Sequence, residues 1–448
     1  MTFLFKPFYR LYCLFLSSRS VVLRRFTRAG LAVLAGMIAT ATMGVDTDNT
    51  VAYQAFAPLL FLLLVAACCS TLFRGRFSAT RLLPRFGTAG RPFGYTVLVR
   101  NLSAKTQNGL TLLENFADTK PSFEDWLAVQ FLEQKQLRSF RFSQRPPAHP
   151  FRLVTATEAA VPPILAHQET AVDVELTPLR RGLLVLEGLT IARPDPLGLC
   201  RAFARVPMPQ TVLVLPKRYL LPAIALPGMM KYQQGGVALA SNVGQSEEFV
   251  ALRDYRHGDP LRHIHWRTWA RAGKPVVKEF EDEFFVRHAL VLDTFIEQPH
   301  SEIFEEAVSV AASFACTIQT QESLLDLLFV GPESYCFTAG RGLAQADQML
   351  EILASVRACR ERTFGALEHL VLDHISVVSG CICVLLAWDQ PRRDFVRKLK
   401  ALGLPTLVLV LVEPGQAKGL DPGPMRDEPD KFCVLEVGKV EEGLTKLT

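Results

Sequence analysis

Two charge-free apolar stretches near the start of the chain constrain its fold more than any other feature. They cover residues 29–45 and 50–73, and only Asp46 and Asp48 lie charged between them. A membrane-spanning helix needs about 20 apolar residues. The second stretch reaches that length, and the first does so together with its neighbours. Because both stretches are apolar on all faces, they predict a transmembrane helical hairpin over residues 29–73 rather than a helical pair in a soluble protein.

Basic residues flank this predicted hairpin on both sides. Residues 1–28 hold six basic side chains and no acidic one, and residues 74–85 hold four more without an acid. Lysine and arginine stay on the side from which a segment inserts, because carrying them across the bilayer is costly. A cleaved signal peptide would have a shorter basic region and no second span. We therefore expect an inner-membrane protein with a cytoplasmic or interfacial segment at residues 1–28 and a cytoplasmic body from residue 86 onward.

The charge of the body argues against nucleic-acid binding. The chain has 49 basic and 44 acidic residues, and ten of the basic and two of the acidic ones lie before residue 86, which leaves 39 against 42, a net charge of −3. A nucleic-acid-binding domain carries an excess of positive charge. The ten cysteines include no C-x-x-C pair, which argues against a zinc ribbon or a thioredoxin-type site and favours reduced thiols.

Two different patterns divide the body of the chain. Residues 86–217 contain short alternating or apolar runs between glycine and proline residues, which predicts a β-sandwich-like domain that acts as a spacer or interaction module. In residues 288–448, apolar strands alternate with helical segments, which is typical of an α/β domain with a largely parallel sheet. The predicted strands of the second domain are 288–292, 324–330, 381–386 and 406–412, and the predicted helices are 302–320, 345–357, 364–374 and 392–402.

Residues 218–287 lie between these domains and are rich in charged and aromatic side chains. From residue 247 to residue 283, seven basic and eight acidic residues nearly cancel. A phosphate-binding surface would have one sign of charge. Mixed charge suits arginine–carboxylate pairs that join domains or dock a partner. The residues expected in this role are Arg253, Asp254, Tyr255, Gly258, Asp259, Arg262, Trp266, Arg271 and Glu279.

The pattern of this segment is similar to that of a known family. Leu252-Arg253-Asp254-Tyr255, Gly258-Asp259 and Trp266 resemble the signature of the domain of unknown function 58 family, and Asp195-Pro196-Leu197-Gly198-Leu199 resembles its upstream part. The resemblance implies a multidomain, membrane-anchored protein without an assigned reaction and with a von Willebrand factor A-like C-terminal α/β domain. It also implies a partner, a MoxR-type AAA ATPase, of a class thought to assemble or activate other complexes.

A von Willebrand factor A-like domain raises the question of a bound divalent ion. Such domains hold the ion through a D-x-S-x-S loop after the first strand, where hard oxygen ligands converge. Here Asp293 remains, but Phe295 and Glu297 replace the two serines, and Asp389 after a later strand is a further candidate ligand. Two hypotheses follow. The protein is a non-enzymatic scaffold without a cofactor, or it is an enzyme that uses Mg²⁺ at a degenerate site of Asp293 and Asp389.

Other candidate motifs are incomplete. His263 and His265 form an H-x-H pair that would face one side of a strand, and His369 and Asp373 stand four apart on a predicted helix, but neither pair has the further ligands that zinc needs. Gly340-Arg341-Gly342 lacks the rest of a phosphate-binding loop. The sequence contains no G-x-x-x-x-G-K-[ST], G-x-S-x-G or H-E-x-x-H motif. If ATP is involved, we expect a partner to supply its chemistry.

Overall fold

Two units, Met1–Leu215 and Pro216–Thr448, make up the computed structural model of the chain. Each unit has its own sheets and apolar core, so the chain is multidomain, with β-rich sheets and helices. The structure describes residues 5–43, 50–73, 75–117, 122–128, 130, 153–222, 231–232, 249–259, 261–280, 284–285, 287–298, 301–318, 324–339, 343–417 and 419–447. The glycine-rich residues 340–342 noted above lie outside them.

Three helices begin the first unit: α1 (Lys6–Arg25), α2 (Arg28–Met43) and α3 (Thr50–Thr71). Within the described residues, α3 is the one helix long and apolar enough to cross a bilayer, over the stretch Gln54–Thr71. The neighbouring α2 is apolar but has 16 residues, fewer than the roughly 20 of a full span. Of the two predicted spans, one is thus matched by a helix of sufficient length.

Two sheets follow and enclose one core. The strands are β1 (Phe77–Leu82), β2 (Phe86–Thr88), β3 (Phe93–Asn101), β4 (Leu110–Phe116), β5 (Val154–Ala156), β6 (Ala159–Val161), β7 (Glu169–Pro178), β8 (Gly182–Pro194) and β9 (Arg201–Leu215). One sheet has the order β1-β3-β7-β5 and the other the order β2-β9-β8-β4-β6. Alternation defines the faces: Val172 and Val174 of β7 are buried, whereas Asp173 and Glu175 are exposed. The buried faces of both sheets meet in a single apolar cluster, as in a β-sandwich.

The second unit begins with two small antiparallel ribbons. One pairs β10 (Lys231–Tyr232) with β13 (Phe284–Phe285), and the other pairs β11 (Phe249–Asp254) with β12 (Val276–Phe280). The chain between β11 and β12 forms a 3₁₀ turn at Leu261–His263 and a short helix, α4 (Trp266–Ala272). Gly273 ends α4 with φ 69°, the left-handed conformation that glycine adopts without a steric cost.

A six-stranded sheet with helices forms the rest of the second unit. Its strands are β14 (Arg287–Leu292), β15 (Leu324–Val330), β16 (Ser334–Ala339), β17 (Gly380–Leu385), β18 (Thr406–Val412) and β19 (Phe432–Glu436). Its helices are α5 (Glu302–Ile318), α6 (Leu343–Ser355), α7 (Gly365–His374), α8 (Gln390–Ala401) and α9 (Val440–Leu444), with 3₁₀ turns at Gly423–Met425 and Pro429–Lys431. The strand order is β16-β15-β14-β17-β18-β19, and all neighbours are parallel except β15 and β16.

The predicted parallel sheet is confirmed, and its strands are apolar for a physical reason. Every residue of β17 and of β18 is buried, because helices cover both faces of a parallel sheet. Such continuous apolar runs are easy to find in a sequence. The edge strands β16 and β19 were not predicted, since their residues are mostly exposed or half-buried and mix polar with apolar side chains.

Candidate functional site

The carboxyl edge of the six-stranded sheet holds the residues that the sequence singled out for metal binding. β14 lies beside β17 although β15 and β16 come between them in the chain, so successive connections leave this pair in opposite directions. In open α/β sheets, ligands bind in the crevice at such a switch point. Asp293 directly follows β14 and is fully buried. Asp389, also at this edge, is the N-cap residue of α8.

Backbone amides hold the Asp293 carboxylate in place. Its Oδ1 accepts the N–H of Phe295 at 3.0 Å, and its Oδ2 accepts the N–H of Leu386 at 3.0 Å. The second bond crosses from the end of β14 to the end of β17. A buried carboxylate with two amide donors still needs a positive partner, because an isolated buried charge is costly.

Arg392 is that partner, and it also binds the other predicted ligand. Its Nε donates to Asp293 Oδ2 at 2.6 Å and its Nη1 to Asp389 Oδ2 at 2.7 Å. Its Nη2 donates to the Phe295 carbonyl at 3.3 Å. Burial opposes the charge of the Arg392 guanidinium, but the two carboxylates outweigh burial and raise its pKa above the ordinary value. The structure thus brings Asp293 and Asp389 together around one cation, the Arg392 side chain.

The residues at this edge do not fit Mg²⁺. Magnesium demands near-ideal octahedral coordination by oxygen atoms, and both carboxylates already bind the guanidinium. Phe295 offers no side-chain oxygen, and Glu297 is exposed. Among the described residues, no group of three or more histidine, cysteine or acidic side chains is placed to hold a metal ion.

A second set of predicted residues folds the loop after β11. The Arg253 guanidinium forms a bidentate ion pair with Asp259, in which Nη1 donates to Oδ2 at 2.7 Å and Nη2 donates to Oδ1 at 2.8 Å. The backbone N–H of Arg256 also donates to Asp259 Oδ2 at 2.8 Å. The hydrogen bond from Arg253 and that from the Arg256 amide lower the pKa of Asp259 to about 2. Gly258 has φ 108°, which other residues rarely adopt.

The neighbouring predicted residues flank this loop. Asp254 pairs with Lys274 at 2.7 Å across the ribbon, and both side chains are exposed. The Tyr255 N–H donates to the Pro275 carbonyl at 3.0 Å. Glu279 lies in β12 opposite Ala251; its side chain lies outside the described residues. The ion pairs found here connect parts of one ribbon and hold the connecting loop in shape.

The chain between β11 and β12 exposes an aromatic and basic surface. Trp266 is 62% exposed and stacks on Trp269, with ring centroids 5.1 Å apart and an interplanar angle of 20°. We give the name α4 surface to five exposed side chains between β11 and β12, which are Leu261, Arg262, Trp266, Arg267 and Arg271. Tryptophan and arginine are the residue types most enriched at the energetic centres of protein interfaces. The predicted Arg262, Trp266 and Arg271 are all exposed within this one segment.

The two histidine pairs noted in the sequence lie in different places: His263 and His265 near the start of α4, and His369 and Asp373 on α7. His263 ends the 3₁₀ turn and His265 is the N-cap residue of α4, so the pair does not lie on a strand, where both side chains would face one side. His265 Nδ1 lies 2.6 Å from Thr268 Oγ1, a contact within its own helix start. His369 and Asp373 do lie on a helix, α7, as predicted.

The upstream motif of residues 195–199 packs against the start of α2. Asp195 Oδ1 accepts the N–H of Leu199 at 2.7 Å and that of Cys200 at 3.1 Å, which folds the motif into a turn. The Leu199 carbonyl then accepts the Thr27 N–H at 3.0 Å. Gly30 fits because it has no side chain: a Cβ there would lie 2.0 Å from the Leu199 oxygen. This motif joins the β-sandwich to the apolar helices.

Sequence reasoning missed two ionic groups. Arg392 was not singled out, although Asp389 and Arg392 stand three apart at a helix start, a spacing at which side chains meet. Arg81 and Glu114 form a buried ion pair inside the sandwich. No local sequence pattern predicts that pair, because its members are 33 positions apart and on different sheets.

Comparison with known proteins identifies a family domain in the second unit. Residues 251–423 match the family described as "Protein of unknown function DUF58". The uncharacterized protein YeaD of Bacillus subtilis (strain 168) is 29% identical over 182 residues, which cover 40% of this chain and 44% of YeaD. The chain thus matches less than half the length of this relative. Residues 251–423 include both the α4 surface and the crevice of Asp293.

Solved structures show only remote likeness. The CARDB domain of a Pyrococcus furiosus protein is 10% identical, with a TM-score of 0.17, and the match covers 31% of this chain and 94% of that domain. A PapD-like domain of human CEP192 is 6% identical, with a TM-score of 0.16, and the match covers 31% of this chain and 84% of that domain. TM-scores this low carry no conclusion about fold or function.

Proposed function

Because residues 251–423 carry a DUF58 domain, we propose that this protein is a membrane-anchored scaffold or adaptor without a reaction of its own. The observation that carries the proposal is the α4 surface, an exposed tryptophan with arginines inside the family domain. Its partner in the proposal is a MoxR-type AAA ATPase that assembles or activates a further complex. The family resemblance supports this choice of partner.

The anchor in this proposal is a two-helix hairpin of α2 and α3. The apolar length of α3 supports it, and so does α2, which packs beside α3. The arginines before α2 and after α3 favour a cytoplasmic position for both flanks. The turn of residues 195–199, hydrogen-bonded to Thr27, would hold the β-sandwich at a fixed place next to the anchor.

The second unit is proposed to have a von Willebrand factor A-like fold. The support is its doubly wound sheet, in which the third strand in chain order lies antiparallel at one edge and the first strand lies beside the fourth. In this proposal the sheet serves as a rigid body that presents the ribbon of β11 and β12.

The α4 surface suits a partner with acidic side chains around an apolar one. Arg267 and Arg271 are four residues apart on α4 and are therefore neighbours on its surface. No ion pair joins either of them to a carboxylate within the part of the chain that the structure describes. Charge complementarity of this kind steers association and selects partners.

Affinity purification of the full-length protein from detergent-solubilised membranes tests the proposal. Trp266→Ala and Arg271→Glu should each lose most of the co-purifying AAA ATPase. Leu402→Ala is the matched control, since Leu402 is 59% exposed but lies outside the α4 surface, and it should capture the ATPase as the unaltered protein does. Equal capture by all variants, with unchanged circular dichroism, would refute the α4 surface as the docking site.

A further inference from the structure

The crevice at the switch point contains a cation site, and the cation in it is the guanidinium of Arg392, a residue of the chain itself. Each of the three guanidinium nitrogen atoms of Arg392 donates to an acceptor: Nε to Asp293, Nη1 to Asp389 and Nη2 to the Phe295 carbonyl. The Cζ of Arg392 lies over the Phe364 ring, 4.9 Å from the ring centroid. Hydrogen bonds to three acceptors and an aromatic ring suit a planar guanidinium better than Mg²⁺, which needs oxygen ligands on all sides.

We propose that Arg392 permanently occupies the place of a divalent ion in this crevice and closes it to metals. The inference is independent of the proposed docking function, since it uses Asp293, Asp389 and Arg392 and none of the residues of the α4 surface. A consequence is that a partner that contacts this edge of the sheet is held there without a bridging metal ion.

Phe295, which replaces the first serine of a metal-binding loop, helps to build the arginine site. Phe295 supplies its carbonyl to the guanidinium, and its ring packs edge-on against Phe364 at 5.9 Å and 70°. Phe364 in turn packs edge-on against Phe395 at 5.6 Å and 78°. Phe395 lies on α8, the helix that carries Arg392. The aromatic cluster therefore fixes both the ring under the guanidinium and the helix from which it extends.

Displacement of Arg392 by an ion is unfavourable for two reasons. Arg392 is 6% exposed and packed against this cluster, so its displaced charge would remain near apolar side chains with its hydrogen bonds lost. An incoming ion would gain only the two aspartates and a carbonyl, while Mg²⁺ surrenders its water ligands reluctantly.

The test uses the full-length protein in detergent. Thermal unfolding is recorded with Mg²⁺, with Mn²⁺ and with a chelator, and amide hydrogen exchange is followed in peptides that contain Leu386, whose N–H binds Asp293. We expect the same midpoint and the same Leu386 protection in all three conditions. A midpoint raised by Mg²⁺ or Mn²⁺, and reversed by the chelator, would overturn the proposal.

Arg392→Ala should lower the midpoint by roughly 6–20 °C, because it leaves a buried carboxylate without its partner. It should also expose the Leu386 amide to exchange. Millimolar guanidinium, far below denaturing concentrations, should restore part of the midpoint in Arg392→Ala and none in the unaltered protein, since it refills the vacated site. No rescue, or an unchanged midpoint and exchange in Arg392→Ala, would contradict the assignment.

Two further variants keep the test decisive if Arg392→Ala does not fold. Arg392→Lys keeps the positive charge but cannot reach two carboxylates and a carbonyl at once, so it should show intermediate Leu386 protection and no response to Mg²⁺ or Mn²⁺. Asp389→Asn removes one charge at the half-exposed rim of the site and should also remain insensitive to metal. Metal-dependent protection in either variant would show that the crevice accepts an ion beside the cationic side chain.

Discussion

Arg81 and Glu114 form an ion pair inside the β-sandwich, with Nη2 and Oε2 2.8 Å apart and both side chains fully buried. The pair joins β1 of one sheet to β4 of the other. The Tyr95 hydroxyl also donates to Glu114, and Arg81 Nη1 donates to Gln210 Oε1 at 3.2 Å. Burial raises the pKa of Glu114, against the opposing effect of Tyr95 and Arg81. These four side chains form a hydrogen-bonded network between the two sheets.

Breaking this pair on one side should destabilise the sandwich strongly. Arg81→Met leaves the Glu114 charge buried without compensation, which costs about 3–5 kcal/mol. The double variant Arg81→Met/Glu114→Leu removes both charges and should regain most of the loss, because replacing a whole buried pair by apolar residues is often neutral. Urea unfolding of the three proteins measures both effects. Equal stability of the single and the double variant would contradict this account.

The Arg253–Asp259 pair predicts a low pKa that depends on one arginine. In NMR titration with labelled aspartate, Asp259 should have a pKa of about 2. Arg253→Gln should move this pKa towards its ordinary value of 3.8. Lys274→Gln, which removes the partner of Asp254 instead, should leave the pKa of Asp259 in place.

The sign of the linked stability follows from that lowered pKa. Because the folded pKa lies below the unfolded one, the pair stabilises the loop fully above pH 3.8 and loses this contribution as the pH falls towards 2. Protection factors of amides in the loop around Gly258, which correct for the intrinsic pH dependence of exchange, should therefore fall in that window for the unaltered protein. In Arg253→Gln the loop should exchange faster already at neutral pH.

Gly30 and Gly36 on α2 should respond in opposite ways to alanine. A Cβ at Gly30 would lie 2.0 Å from the Leu199 carbonyl oxygen, so Gly30→Ala must push the helix away from the 195–199 turn. We expect a loss of about 1–3 kcal/mol, typical of overpacking. At Gly36 the nearest atom, Leu59 Cδ1, is 3.7 Å away, and alanine should add about 0.5–1 kcal/mol to helix stability. Thermal unfolding in detergent separates the two, and similar midpoints would disprove the close contact.

A charge in the middle of α3 tests the proposed membrane anchor. Leu64 is exposed on α3 within the apolar stretch, and arginine at the centre of a span costs about 2.5–3.5 kcal/mol. Leu64→Arg should therefore raise the fraction of protein released from alkali-washed membranes. Leu72→Arg, just beyond the helix end, should not, since arginine there reaches the interface. Equal release of both variants would argue against α3 as the anchor.

The elements that could be read from the sequence are those defined by local pattern. The strand at 324–330 and the strand at 406–412 agree with the structure to the residue, because continuous apolar runs between turn residues define buried strands. Helix α8 begins two residues before its predicted start. The position of the H-x-H pair could not be read from the sequence, since Leu261–His263 form a 3₁₀ turn that carries no periodic signal.

The sequence by itself determined where the chain is apolar, where it is charged and which segments alternate, since these properties belong to neighbouring residues. It also located Asp293 and Asp389 at strand ends. Only the tertiary structure decided which cation they share, because Asp293 and Arg392 are 99 positions apart and meet through the parallel neighbours β14 and β17. In the sequence, a carboxylate pair suggests a metal site; in the folded chain, the burial of Asp293 and Arg392 and their contact make it an arginine site.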